Sequence, residues 1–185
     1  SAAARLGLGC APLGNLFSAV SDEDAAATVA AAWQQGIRFF DTAPQYGHGL
    51  SETRLGAALA KYPRDEYTLV SKVGRVLVAP QPGAARPTSS FVDIPAVDPV
   101  FDFSRDGILR SLDDSLTRLD TDRLDVVHVH DPDDHEADAL ATAFPTLIEL
   151  REQGVIGQVG CGMNQVAMLA RFVEQVDLDC ILLAG

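Results

Sequence analysis

Basic residues are scarce in this chain: 14 Lys and Arg stand against 26 Asp and Glu over 185 residues, for a formal net charge of −12. With a sequence pI of about 4.5, that balance excludes the nonspecific attraction that drives binding to nucleic acid or to an anionic membrane surface. Cysteine is rarer still. Cys10, Cys161 and Cys180 are odd in number, far apart, and each in or beside an apolar run, which argues against a disulfide framework and suits a reducing cytosol. No stretch approaches the roughly 20 apolar residues that span a bilayer, and the N-terminus lacks the charged-then-apolar layout of a signal peptide. A soluble, cytoplasmic protein is the expectation. Low-complexity tracts and close repeats are absent too. What is present, at 47% hydrophobic, is the composition of a globular protein with one sizeable core.

Short apolar runs alternate with helical periods from end to end, the pattern of a parallel sheet built from βα units. Strands are predicted at Leu6 to Gly9, Ile37 to Phe40, Tyr67 to Val70, Asp125 to Val129, Val155 to Cys161 and Asp179 to Leu183. The first helix starts at Ser21, where Asp24 completes a capping box, and carries Ala25, Val29, Ala32 and Trp33 on one face. Ser51 is the expected cap of the second, with Leu50 and Leu55 as a hydrophobic staple. Ser104 caps the third, whose buried stripe reads Ile108, Leu112, Leu116 and Leu119. The fourth holds Phe144, Leu147 and Ile148 with Pro145 in its first turn and closes at Gly154; a fifth runs from about Asn164 to Val176.

No Gly-rich dinucleotide loop follows the first strand, so the repeated units point to a (β/α)₈ TIM barrel rather than a Rossmann sheet. Such barrels take roughly 250 residues. About six βα units are present in 1–185, and the last two are expected to be missing. The opening at Ser1 without Met and the stop at Gly185, directly after a buried-strand pattern, agree with a fragment of a larger domain. One stretch breaks the rhythm: 76–103, after the third strand, contains Pro80, Pro82, Pro87, Pro95 and Pro99 and no helical period. A loop that long on the C-terminal face of a barrel is expected to face substrate.

Ionisable residues collect at the strand ends. Asp41 ends the second predicted strand and Tyr46 follows five residues on; Lys72 ends the third, in Val70-Ser71-Lys72-Val73-Gly74; His130 ends the fourth, in His128-Val129-His130-Asp131-Pro132. A phenol titrates near 10, so acting as a proton donor near neutral pH calls for a nearby cation that favours the phenolate. Lys72 supplies that cation, Asp41 holds it, and His130 hydrogen-bonds the phenol or a substrate carbonyl. Taken singly each has an ordinary alternative: Asp41 as a turn former, Tyr46 as a packed loop aromatic, Lys72 as a solvated strand end, His130 as a cap for the turn at Asp131-Pro132.

Asp41-Thr-Ala-Pro-Gln-Tyr46-Gly47, Glu52 with Gly56, Ser71-Lys72-Val73, His130-Asp-Pro and the Gly160 to Asn164 turn together resemble the aldo-keto reductases, from Leu6 to the end of the chain. The resemblance implies an enzyme: an NADP- or NAD-dependent oxidoreductase on a (β/α)₈ barrel, with Asp41, Tyr46, Lys72 and His130 as the catalytic tetrad. It further implies that Asn164, with Gly162 and Met163, binds the cofactor, Asn164 holding the nicotinamide carboxamide. Where many members read Gly-x-Ser-Asn, this chain reads Gly160-Cys161-Gly162-Met163-Asn164. The opening Gly9-Cys10-Ala11-Pro12-Leu13-Gly14-Asn15-Leu16 and the run from His130 to His135 resemble the branch that contains aldose 1-dehydrogenases, L-fucose dehydrogenases and pyridoxal 4-dehydrogenases. The implied substrate is a small aldehyde, ketone or sugar hemiacetal, converted to its alcohol or lactone or back.

Two other readings compete. His128 and His130 fall on one side of a strand and, with Asp131, Asp133, Asp134 and His135, resemble the ligands of a metal-dependent barrel hydrolase, although that leaves Tyr46 and Lys72 unused. The other is a cofactor-binding barrel without turnover. If the phosphate-gripping loops of the last two strands are missing, the 185 residues alone are expected to bind cofactor weakly.

Overall fold

The computed structural model describes residues 6–83 and 88–184; Pro87, Ser1 and Gly185 lie outside the described residues. Six parallel strands, β1 (Leu8–Gly9), β2 (Phe39–Asp41), β3 (Thr68–Val73), β6 (Leu124–His130), β7 (Ile156–Met163) and β8 (Cys180–Leu183), form one sheet. Their order, β1-β2-β3-β6-β7-β8, follows the chain without reversal. A doubly wound sheet reverses at a switch point, whereas a barrel adds each strand beside the last. This sheet does the second.

Helices α1 (Asp22–Gln34), α2 (Leu50–Leu59), α3 (Arg105–Leu119), α5 (Phe144–Glu152) and α6 (Val166–Gln175) connect the strands. Ser21 and Ser104 cap α1 and α3 as their sequences predict, accepting from the N–H of Asp24 at 3.0 Å and of Gly107 at 3.1 Å. Ala25, Val29, Ile108, Leu112, Phe144, Leu147 and Phe172 pack in one cluster with Val127, Val129 and Cys161, while Leu116 is only half-buried. Because side chains alternate along a strand, the residues between Val127 and Val129 project to the opposite face. His128 and His130 therefore point into the barrel, beside Lys72, whose backbone pairs in register with His128.

Two expectations are corrected. Ser51 does not cap α2, which follows Gly49; its hydroxyl donates instead to the Cys10 carbonyl at 2.7 Å and hydrogen-bonds Thr42 Oγ1 at 2.9 Å. The stretch 76–103 is not irregular throughout. β4 (Arg75–Val78) and β5 (Asp98–Phe101) pair antiparallel at its base, with Pro99 tolerated because each strand of a two-stranded ribbon has a free edge. Beyond the loop at 131–135, α4 (Glu136–Asp138) leads through a π turn (Ala139–Ala143) into α5. That turn ends two residues before Pro145, whose missing N–H and bulky ring forbid a regular helical bond there.

Candidate active site

Asp41, Lys72 and His130 stand at or next to the C-terminal ends of β2, β3 and β6, neighbours in the sheet. The Thr42 N–H donates to the Val70 carbonyl at 2.9 Å, extending the ladder past Asp41 and fixing where its carboxylate points. Lys72 is buried to 1% exposure, and its Nζ donates to Asp41 Oδ1 at 2.6 Å and to the Thr42 carbonyl at 2.8 Å. An ammonium so deep is tolerated only when its donors are met.

Tyr46 comes from the loop after β2, which folds back through short turns, the Tyr46 N–H donating to the Ala43 carbonyl at 3.0 Å and Gly49 N–H to Pro44 at 2.8 Å. Gly47 is required there. Its φ is +64°, and a Cβ would come within 2.4 Å of the Gly14 carbonyl oxygen. So held, the Tyr46 ring centroid lies 4.8 Å from Lys72 Nζ, and His130 meets it edge-on at 5.9 Å and 88°. All four predicted catalytic residues are brought to one mouth.

Burial dominates the titration of Tyr46, Asp41 and His130. It raises Tyr46 above 10, with Lys72 pulling down and Asp41 pushing up. The cation expected to make the phenol more acidic therefore acts as expected but is outweighed, and the Tyr46 phenol is neutral. Burial also raises Asp41 above 3.8 against the pull of Lys72. His130 is driven well below 6.5 by burial and then by Lys72, Arg75 and His128, so the imidazole is neutral. His128 falls to about 3 through burial and Lys72.

The predicted cofactor residues scatter. Gly162 pairs with His130 in the sheet, and a Cβ placed on it would lie 3.6 Å from Lys72 Cε, so it borders the site. The Met163 side chain is buried in the core, and its carbonyl accepts from the Ala184 N–H at 3.1 Å. Asn164 is exposed just beyond β7. A groove of about 460 Å³ between the edge strands β1 and β8 is lined by Leu8, Gly9, Phe39 and Leu182 and reaches Asp41. The metal reading finds little support: among the described residues, no three His, Cys, Asp or Glu side chains gather where they could share an ion.

Two residues at the mouth escaped the sequence reading. Phe91 lies 6.2 Å from the Tyr46 ring, brought there by the long arm, whose Ser90 carbonyl accepts from Phe17 N–H at 2.7 Å. Arg75 donates from Nη2 to Asp131 Oδ2 at 3.2 Å. A single charge inside the apolar run Val73 to Val78 was the available signal for Arg75. Nothing local marks Phe91.

Residues 5–181 match the sequence pattern of the aldo/keto reductase family. The chain is 46% identical over 186 residues to a D-threo-aldose 1-dehydrogenase from a Pseudomonas species, covering 97% of this chain and 56% of that protein. A pyridoxal 4-dehydrogenase from Microbacterium luteolum is 39% identical, with 97% and 58% covered. An aldo-keto reductase structure from Bacillus halodurans superposes with a TM-score of 0.76 at 25% identity, over 97% of this chain and 53% of that one. The glycerol dehydrogenase structure from Gluconobacter oxydans gives 0.73 at 28% identity, over 96% and 50%. The chain thus spans a little over half the length of the first two, the curated relatives. A match that runs across nearly every residue, at close to half identity with one relative, makes this chain a member of the aldo/keto reductase family.

Proposed function

We propose that the protein is an NADP- or NAD-dependent oxidoreductase that interconverts an aldehyde, ketone or sugar hemiacetal with its alcohol or lactone, with Tyr46 moving the proton. The observation that carries this reading is the buried Lys72 ammonium, held by Asp41 and the Thr42 carbonyl and set against the Tyr46 ring, with a neutral His130 edge-on to that ring. In reduction the Tyr46 hydroxyl donates its proton to the carbonyl oxygen. Lys72 stabilises the phenolate that remains, and the neutral imidazole of His130 offers an N–H to the substrate oxygen. In oxidation the phenolate takes the proton of the substrate hydroxyl.

The donor set at the mouth fits a nicotinamide group: Asn164 is exposed one residue past β7, and Gly162 borders Lys72. Asn164 would hold the carboxamide and Gly162 would line the ring's edge. When bound, the nicotinamide supplies or accepts the hydride. Met163 serves the fold here rather than the cofactor, its side chain being core. Aldoses and pyridoxal are substrate candidates, a reading supported by the names of two relatives.

Tyr46→Phe in the full-length protein tests the assignment. Turnover followed by nicotinamide absorbance should fall by about 10²- to 10⁴-fold, the usual contribution of a general acid, with cofactor binding by fluorescence quenching unchanged. Undiminished turnover would overturn the role given to Tyr46.

A further inference from the structure

Arg75 and Asp131 take no part in the proton transfer, yet they stand beside it. Arg75 opens β4 three residues after Lys72, and Asp131 follows His130 directly, with its Oδ2 3.4 Å from His130 Nε2. The Arg75 guanidinium lies over the ring of Phe101, its partner across the β4–β5 hairpin, at 4.2 Å from the centroid. Its side chain is 10% exposed and that of Asp131 26%, so the pair reaches the mouth through the carboxylate.

The fork of Arg75 is only half engaged. Nη2 meets Asp131, but Nη1 is buried with no hydrogen-bond partner among the described residues. Arg54 shows what a purely structural arginine does in this fold. It donates from Nε to Asp22, from Nη1 to the Leu13 carbonyl and Asn15, and from Nη2 to the Val20 carbonyl. A buried donor left unmet is costly and calls for a partner from outside the described residues.

Building on the oxidoreductase reading, we propose that Arg75 and Asp131 form a hydroxyl clamp that selects polyhydroxylated substrates. Arg75 Nη1 donates to a substrate hydroxyl oxygen beside the reacting carbon, and Asp131 accepts from a neighbouring hydroxyl. The pair is neutral as a unit, so it presents a donor and an acceptor rather than a net charge. That suits an uncharged sugar better than a phosphate or carboxylate, which the chain's net charge of −12 also disfavours. Phe91 and Phe101 provide apolar walls for the C–H faces that such a substrate carries between its hydroxyls. Arg75 is thus a specificity-determining residue.

Steady-state kinetics of the full-length protein on matched pairs tests the clamp: ribose against 2-deoxyribose in oxidation, and glyceraldehyde against propanal in reduction. The unaltered protein should prefer the hydroxylated member. Arg75→Met should cut the preference for that member, the ratio of the two kcat/KM values, by about 10- to 100-fold, the worth of one hydrogen bond to a charged donor, over any loss that both members share. Arg75→Lys, which keeps the charge and loses the fork, should fall between, and it carries the comparison if the Met variant does not fold by circular dichroism. Equal losses on both members, or an unaltered preference, overturn the clamp while leaving the oxidoreductase reading intact. Absence of turnover on every pair with both nicotinamides overturns that reading and the clamp with it.

Discussion

At Tyr46, burial holds the phenol above its ordinary value of 10 while the Lys72 ammonium, 4.8 Å from the ring centroid, pulls the other way. Removing the cation leaves burial and the Asp41 charge unopposed, and both disfavour the phenolate. Lys72→Met should therefore move the rising limb of the oxidation pH-rate profile to higher pH, besides lowering the rate. A limb that stays in place would show that the limb reports some other group. Asp41, Lys72 and His130 were legible in sequence because each is polar at or near the end of an apolar run, where a parallel strand must stop, and Tyr46 because it follows in the loop after the strand that Asp41 ends. Arg75 was not, because only folding of the hairpin brings it against Asp131 and Phe101.

At the scale of elements, α2 is wedged behind the site. Glu52, fully buried, accepts from Ser71 Oγ at 2.6 Å, next to Lys72, and pairs with Arg118 of α3 at 2.6 Å. The two helices come this close at Gly56, where a Cβ would fall 2.4 Å from the Leu119 carbonyl oxygen, a backbone atom that cannot swing aside. Gly56→Ala should destabilise by about 1–3 kcal/mol, the usual cost of overpacking, seen as a lowered midpoint in urea. An unchanged midpoint would mean that α2 and α3 part freely. Helices α1 and α3 were legible through their serine caps and apolar stripes. The β4–β5 hairpin was hidden because its prolines speak against strand, and two-stranded pairing on a free edge is what permits one of them.

Across the whole molecule, the sheet has a helix-covered outer face and an inner face that carries Lys72, His128 and His130. His128 is 4% exposed, and Gly160 on β7 makes room for it: a Cβ there would lie 2.3 Å from its Nδ1. That imidazole is neutral in the fold down to about pH 3 but charges near 6.5 once unfolded. Above 6.5 neither state is protonated and nothing is lost. As pH falls from 6.5 toward 3 the unfolded state gains a proton that the folded state refuses, so stability drops across that window. His128→Leu should flatten the decline, measured as urea midpoints at several pH values between 3 and 7; an equally steep decline would place the acid sensitivity elsewhere.

What the sequence determined alone was the kind of molecule and the chemistry at its strand ends. Hydrophobic periodicity sets which stretches are strands and helices, and strand ends are where a βα repeat exposes polar side chains, so both are written locally. The tertiary structure decided what depends on distance through space. It determined that the six strands add in chain order, that burial outweighs Lys72 at Tyr46, and that Ser51 serves Cys10 and Thr42 instead of a helix end. It also left Arg75 with one donor unmet among the described residues, beside the candidate site. Desolvation and hydrogen-bond satisfaction are properties of surroundings that residues far apart in sequence create only when they meet.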